Sequence, residues 1–164
     1  SAAGVYLGRT TGFAPCTAEA VTVLLYHYGI DCTGKRAVVI GRSPVVGRPA
    51  AMLLLERNAT VTVCHTRTQA LSDVTREADI IVSAAGAAGC LTAAHVRPGQ
   101  TIIDVSANWD AAKNTIVGDA DFDAAASIVD AITPVPGGVG AVTSAVLMRH
   151  VVQAAERTLE GGKL

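Results

Sequence analysis

Aromatic side chains are scarce in this chain, at 4% of 164 residues, and charge is low, at 16% with a formal net charge of -1. A nucleic-acid binder would carry a basic face, and an acidic tail would carry a charge block; neither pattern is present. No apolar run reaches membrane-spanning length, because Arg, Asp or Gly interrupts each one. The first residues, Ser1-Ala2-Ala3-Gly4-Val5, lack the basic start and apolar stretch of a signal peptide. Four cysteines, Cys16, Cys32, Cys64 and Cys90, lie far apart and form no Cys-x-x-Cys pair, so neither a disulfide framework nor a metal site is expected. These absences lead to the expectation of a reduced, cytoplasmic setting, with no membrane and no nucleic acid as partner.

Half of the residues are hydrophobic, which suffices for one compact domain with a real core. Ala and Val dominate that half, a composition suited to strands buried on both faces and to close helix contacts. Thr17 offers an N-cap for a helix carrying Val21, Leu24, Leu25 and Tyr28 at helical spacing, with Gly29 to stop it. Residues 36–40 read as a buried strand, and a helix follows from about Gly47 or Pro49 to Glu56, where Pro49 fits the first turn. The alternation repeats, with strands at 60–64, 79–83 and 101–105, a helix at 69–77 and a short segment at 92–96. A last short strand is expected at 129–133, and a closing helix at 143–160 with Val146, Leu147, Val151 and Ala154 on one face. Repeated strand–helix units with short links predict a single α/β domain spanning 1–164: a Rossmann-like, doubly wound parallel sheet led in by residues 1–16. Tyr6 and Tyr26 read as packing residues.

In such a sheet ligands sit beyond the carboxyl ends of the strands, where strand order reverses. The turn Gly41-Arg42-Ser43-Pro44-Val45-Val46-Gly47 follows the first strand. Its glycines let backbone approach a diphosphate, and the next helix offers amides and a positive dipole end. Ser43 stands where the common Gly-x-Gly-x-x-Gly pattern has its second glycine, which would hold the diphosphate farther from the backbone. The second strand ends at Cys64-His65-Thr66-Arg67-Thr68, a segment without Asp or Glu. An acidic residue there would favour NAD; Arg42, His65, Thr66 and Arg67 instead suit a ribose 2′-phosphate, which makes NADP the expected cofactor.

Further motifs fall in a fixed order: Pro15-Cys16-Thr17, Gly34-Lys35, Val38-Val39-Ile40-Gly41-Arg42-Ser43, Val46-Gly47 and Pro49, then Asn58-Ala59-Thr60-Val61-Thr62 and Cys64-His65. After them come Pro98-Gly99, Ile103-Asp104-Val105, Val117-Gly118-Asp119, Ile132-Thr133-Pro134-Val135-Pro136-Gly137-Gly138-Val139-Gly140 and Thr143. From about Gly4 to Arg157 the chain resembles the bifunctional methylenetetrahydrofolate dehydrogenase/methenyltetrahydrofolate cyclohydrolase family, in its C-terminal NAD(P)-binding domain. The resemblance implies oxidation of 5,10-methylenetetrahydrofolate by NADP, followed by hydrolysis of the methenyl product to the 10-formyl form. It also implies that Arg42, Ser43, Val46, Gly47, His65 and Thr66 hold the dinucleotide, to which the turn and the strand end add Gly41 and Arg67. Pro134, Pro136, Gly137, Gly138, Val139 and Thr143 would stand where nicotinamide meets folate. From the residues alone, prolines that fix the chain beside paired glycines suit a flat ring packed on bare backbone, and a cis Val135–Pro136 bond is conceivable.

The family's catalytic Tyr and Lys, and an Asp, belong to an N-terminal domain that the matched region does not include. Lys35, Lys113 and Lys163 do not occur in that catalytic context, so no catalytic residue is assigned, and tetrahydrofolate would be reached only through the missing domain. The closing helix would pack on that domain, and a homodimer is implied. The chain also departs from the family. Asp-Val-Gly-Ile-Asn-Arg becomes Asp104-Val105-Ser106-Ala107-Asn108-Trp109, Ala141-Val142 replaces Pro-Met, and Ala18 replaces the last Pro of Pro-Cys-Thr-Pro. A non-catalytic NADP-binding or self-association module is the alternative. A reductase of the shikimate dehydrogenase kind is a third reading, disfavoured by the Pro-Val-Pro-Gly-Gly-Val run.

Overall fold

The computed structural model describes residues 2–8 and 12–159. Five parallel strands form the main sheet: β1 (Arg36–Ile40), β2 (Thr60–Cys64), β3 (Ile80–Ser83), β4 (Thr101–Asp104) and, after a hairpin of β5 (Asn108–Asp110) and β6 (Thr115–Val117), β7 (Ala131–Ile132). Their order is β2-β1-β3-β4-β7. The chain leaves β1 towards β2 and returns to place β3 on the other side of β1, so the crevice of a doubly wound sheet lies at the carboxyl ends of β1 and β3.

Alternation along the strands sends side chains to two separate cores. Ala37, Val39, Ile80, Val82 and Ile103 face one core, with Val21, Leu24 and Leu25 of α2 (Cys16–His27), Ala51 and Leu54 of α3 (Gly47–Glu56), and Val139 and Val146 of α6 (Val139–Leu159). Val38, Ile40, Ile81 and Ile102 face the other, which is closed by Leu71 and Val74 of α4 (Leu71–Arg76), Leu91, Val96 and Ala125 of α5 (Phe122–Ala126). A helix α1 (Ala2–Tyr6) sets Val5 against Ala18, Ala50 and Leu53. The result is a three-layer α/β domain of the expected doubly wound kind.

Several expected boundaries shift. Thr17 lies inside α2, whose first helical residue is Cys16 and whose N-cap position is Pro15, so Thr17 caps nothing. The stop at Gly29 holds: with φ at +68° it turns the chain so that the Ile30 amide donates to the Leu25 carbonyl at 2.8 Å. The lead-in residues 1–16 contain the helix α1, and α2 begins within them. The segment 69–77 shortens to α4 because Thr68 closes a turn with His65 and Ala70 is left-handed. The closing helix starts at Val139, four residues before Thr143, since burial of Val139 in the core outweighs the glycine signal; residue 160 lies outside the described residues.

Of the four residues expected on one face of α6, Val146 is buried, Leu147 and Val151 are more than half exposed and Ala154 is exposed, so that face is left largely open. The seam against the rest of the domain runs through Val139, Val146 and His150. Tyr6 and Tyr26, expected to pack, are 70% and 84% exposed: Tyr6 is the last residue of α1, and Tyr26 follows the buried stretch of α2 that ends at Leu25.

Candidate functional site

The turn after β1 is shaped by contacts that only glycine permits. Gly41 has φ at +111°, and a Cβ there would lie 2.1 Å from the Ala84 carbonyl oxygen. A Cβ on Gly47 would lie 2.3 Å from the Gly41 carbonyl oxygen. The two glycines therefore let the turn fold flat against the end of β3 and against the start of α3. Ser43 Oγ accepts hydrogen bonds from the Val46 and Gly47 amides, at 3.1 and 3.3 Å. The hydroxyl thus takes over two helix-start donors and keeps its own proton to give to an anion beyond it. Arg42 is exposed beside this turn, and Pro44 and Val45 form its outer wall.

The end of β2 adjoins the same turn, because the Gly41 amide donates to the Cys64 carbonyl at 2.8 Å. Beyond Cys64 the chain forms a tight bend: the His65 amide donates to Thr68 Oγ1 at 2.9 Å, and the Arg67 amide donates to His65 Nδ1 at 3.2 Å. An Nδ1 that accepts leaves the imidazole proton on Nε2, free to donate outward. Thr66 and Arg67 are exposed at the tip. Turn and bend together gather Gly41, Arg42, Ser43, Val46, Gly47, His65, Thr66 and Arg67 at one end of adjacent strands.

Pro134, Pro136, Gly137, Gly138 and Val139 lie past the carboxyl end of β7, three strand spacings from β1, or about 14 Å across the sheet. Here the Val135–Pro136 bond is cis and Gly137 has φ at +100°. A Cβ on Gly138 would meet the Pro134 carbonyl oxygen at 2.4 Å, so this glycine too is demanded by backbone contact. The run lines a cavity of about 300 Å³ with Asp104, Val105, Ser106, Ala107 and Ile116. Val139 is buried at the base of α6, and the Thr143 hydroxyl donates to the Val139 carbonyl at 2.9 Å.

Beneath that cavity lies a polar cluster that motif spacing did not reveal. Asp119, fully buried, accepts hydrogen bonds from Ser83 Oγ (2.9 Å), Ser106 Oγ (2.7 Å), the Ala85 and Ala87 amides (both 2.8 Å) and Asn108 Nδ2 (3.1 Å). Burial alone would push this carboxyl up, but the hydrogen bonds from Ser106, Asn108, Ser83 and Ala87 outweigh it and hold Asp119 below the usual carboxylate range. Asp104 accepts from the Ala120 and Ser106 amides at 2.8 and 3.1 Å. Its carboxyl is pushed up to about 6, chiefly by burial, against those amides and with the Asp119 charge adding to the rise. The Ser106 side chain, extra relative to the family's glycine, is thus turned into this cluster. The available signal was the glycine before Asp119, since a Cβ on Gly118 would lie 2.2 Å from Asp104 Oδ2. Trp109, at the place of a family cation, is 65% exposed on β5.

A parallel sheet of this strand order, with a glycine-shaped turn at its reversal point and a second glycine run at its far edge, defines a dinucleotide-binding type of α/β domain. The chain belongs to the tetrahydrofolate dehydrogenase/cyclohydrolase family, whose NAD(P)-binding domain it matches over residues 15–159. It is 55% identical over 157 residues to the bifunctional protein FolD of Carboxydothermus hydrogenoformans, covering 95% of this chain and 55% of that relative. The bifunctional FolD enzyme of Campylobacter jejuni superposes with a TM-score of 0.91 at 45% identity, covering 95% of this chain and 55% of that one. The Trypanosoma brucei enzyme, solved with NADP and an inhibitor, has a TM-score of 0.89 at 37% identity, covering 96% and 56%. The chain therefore spans little more than half the length of these relatives.

Proposed function

We propose that this domain binds NADP as the cofactor half of a 5,10-methylenetetrahydrofolate dehydrogenase/5,10-methenyltetrahydrofolate cyclohydrolase of one-carbon metabolism. The observation that carries the reading is the joined turn and bend at the carboxyl ends of β1 and β2. There Ser43, Arg42, His65, Thr66 and Arg67 converge without a carboxylate, a donor set that fits an adenosine diphosphate bearing a 2′-phosphate. Ser43 and the turn 41–47 would hold the diphosphate, while Arg42, His65, Thr66 and Arg67 would take the 2′-phosphate. Pro134, Pro136, Gly137, Gly138, Val139 and Thr143 would form the rim of the nicotinamide end, with the cavity of about 300 Å³ beside them. When bound, NADP+ supplies the hydride acceptor. The chain's own residues position the dinucleotide and exclude water from the apolar side of the cavity, and none of them serves as the catalytic acid or base.

The catalytic Tyr and Lys, and tetrahydrofolate binding, are proposed to belong to an N-terminal domain of the relatives' kind. The exposed Leu147, Met148, Val151 and Val152 of α6 support a further domain against that helix, and a cytoplasmic homodimer accords with the family. Titration calorimetry on the purified chain tests the cofactor assignment: NADP+ binds more tightly than NAD+, and equal affinities would refute it. The same preparation is expected to show negligible oxidation of 5,10-methylenetetrahydrofolate, and substantial turnover would overturn the division of labour. The self-association alternative rests on the same α6 stripe and predicts an oligomer that forms without any second domain.

A further inference from the structure

Where α2 starts and α6 passes over it, two side chains from the first turn of α2 meet one from α6 in line. Cys16 Sγ lies 3.6 Å from His150 Nδ1, and His150 Nε2 lies 2.8 Å from Glu19 Oε2. Glu19 is a carboxylate acceptor, so the imidazole proton sits on Nε2 and Nδ1 is left bare towards the thiol. The ring is fixed in this pose. His150 is 7% exposed, Phe13 stacks on it with centroids 4.6 Å apart, and Arg157 lies over the Phe13 ring at 4.7 Å. Arg149 holds the other oxygen of Glu19. Cys16 is the first residue of α2, beside its unpaired amides, and is half-buried, so a small reagent can reach it.

We propose that Cys16, His150 and Glu19 form a thiol–imidazole–carboxylate relay that makes Cys16 the nucleophilic cysteine of the chain and a site of mixed-disulfide formation with low-molecular-weight disulfides. In the step, His150 Nδ1 takes the Cys16 proton and the thiolate attacks one sulfur of the disulfide R–S–S–R. A sulfur–sulfur bond forms between Cys16 Sγ and the attacked sulfur, the original sulfur–sulfur bond of R–S–S–R breaks, and the departing R–S⁻ thiolate receives the proton from His150. One disulfide is consumed and one formed, so the small disulfide is the oxidant, is reduced to the thiol R–SH, and no further oxidant is needed. Among the described residues the remaining cysteines have no imidazole against them: Cys32 and Cys64 are buried, with burial pushing both thiols up, and burial pushes the Cys90 thiol up to about 11. The inference is independent of the cofactor reading.

The test uses the whole chain, first with iodoacetamide and then with oxidised glutathione, with each cysteine followed by peptide mass spectrometry. Cys16 in the folded chain should react at least about tenfold faster than the same cysteine in the urea-denatured chain, despite its partial burial. His150→Asn should remove that advantage, and Glu19→Gln should reduce it while leaving the thiol equally exposed. A folded-state rate no higher than the denatured-state rate would overturn the proposal without recourse to any variant. So would full reactivity in a folded Glu19→Gln chain.

Discussion

Arg42 and Asp119 show two ways in which a single side chain can matter here. Arg42 is exposed and holds nothing of the fold in place, so its substitution should act on the ligand alone. Arg42→Ala is expected to weaken NADP+ binding by about 1.5–3 kcal/mol, the scale of a hydrogen bond to a charged group, and to change NAD+ binding far less. Unchanged NADP+ affinity in calorimetry would place Arg42 away from the phosphate. Asp119 is the opposite case, because it ties the segment after β6 to the ends of β3 and β4 through five donors. Asp119→Ala strands two buried hydroxyls and two amides at once and is expected to cost about 3 kcal/mol or more of stability in urea unfolding. A loss below about 1 kcal/mol would mean that water replaces the carboxylate without penalty.

Elements were legible where local chemistry and burial agree. The strands β1 and β2 fall on the residues expected, because a short apolar or β-branched run between turn residues has one good solution in a parallel sheet. The turn 41–47 was equally legible, since its glycines are required by backbone contacts that spacing reflects. What the sequence hid was decided at long range. The hairpin β5–β6 has only three residues per strand and no periodic signal, and the start of α6 was masked by the glycine run before it. The Asp119 cluster joins residues 11 to 36 positions apart, so no local pattern marks it. Ser43 belongs to this scale as well, because its side chain caps the start of α3. Ser43→Ala should lower the unfolding free energy by about 1 kcal/mol, as loss of a helix-start acceptor does, and should weaken NADP+ binding in the same chain. Loss of binding with no change in stability would show that the hydroxyl serves only the ligand.

At the scale of the whole molecule, the two carboxylates under the cavity give the stability curve opposing terms. Asp104 has a folded-state value of about 6, raised from an ordinary 3.8, so between those values the native state holds more protons than the unfolded state. Its contribution is therefore fully present below about pH 4 and is lost as pH rises through about 6. Asp119 is lowered instead, so its contribution is present above the ordinary carboxylate range and is lost only as pH falls through its folded value. The Asp104 term can be isolated by comparison with Asp104→Asn, which has nearly the same shape and no charge. The stability of the native chain relative to that variant should fall by about 2–3 kcal/mol between pH 4 and pH 7, the shift of roughly two units expressed as free energy. Denaturant unfolding at several pH values reads it directly. A difference that stays flat, or that rises with pH, would mean that Asp104 is ionised throughout, held by the Ala120 and Ser106 amides as firmly as Asp119 is held by its own donors.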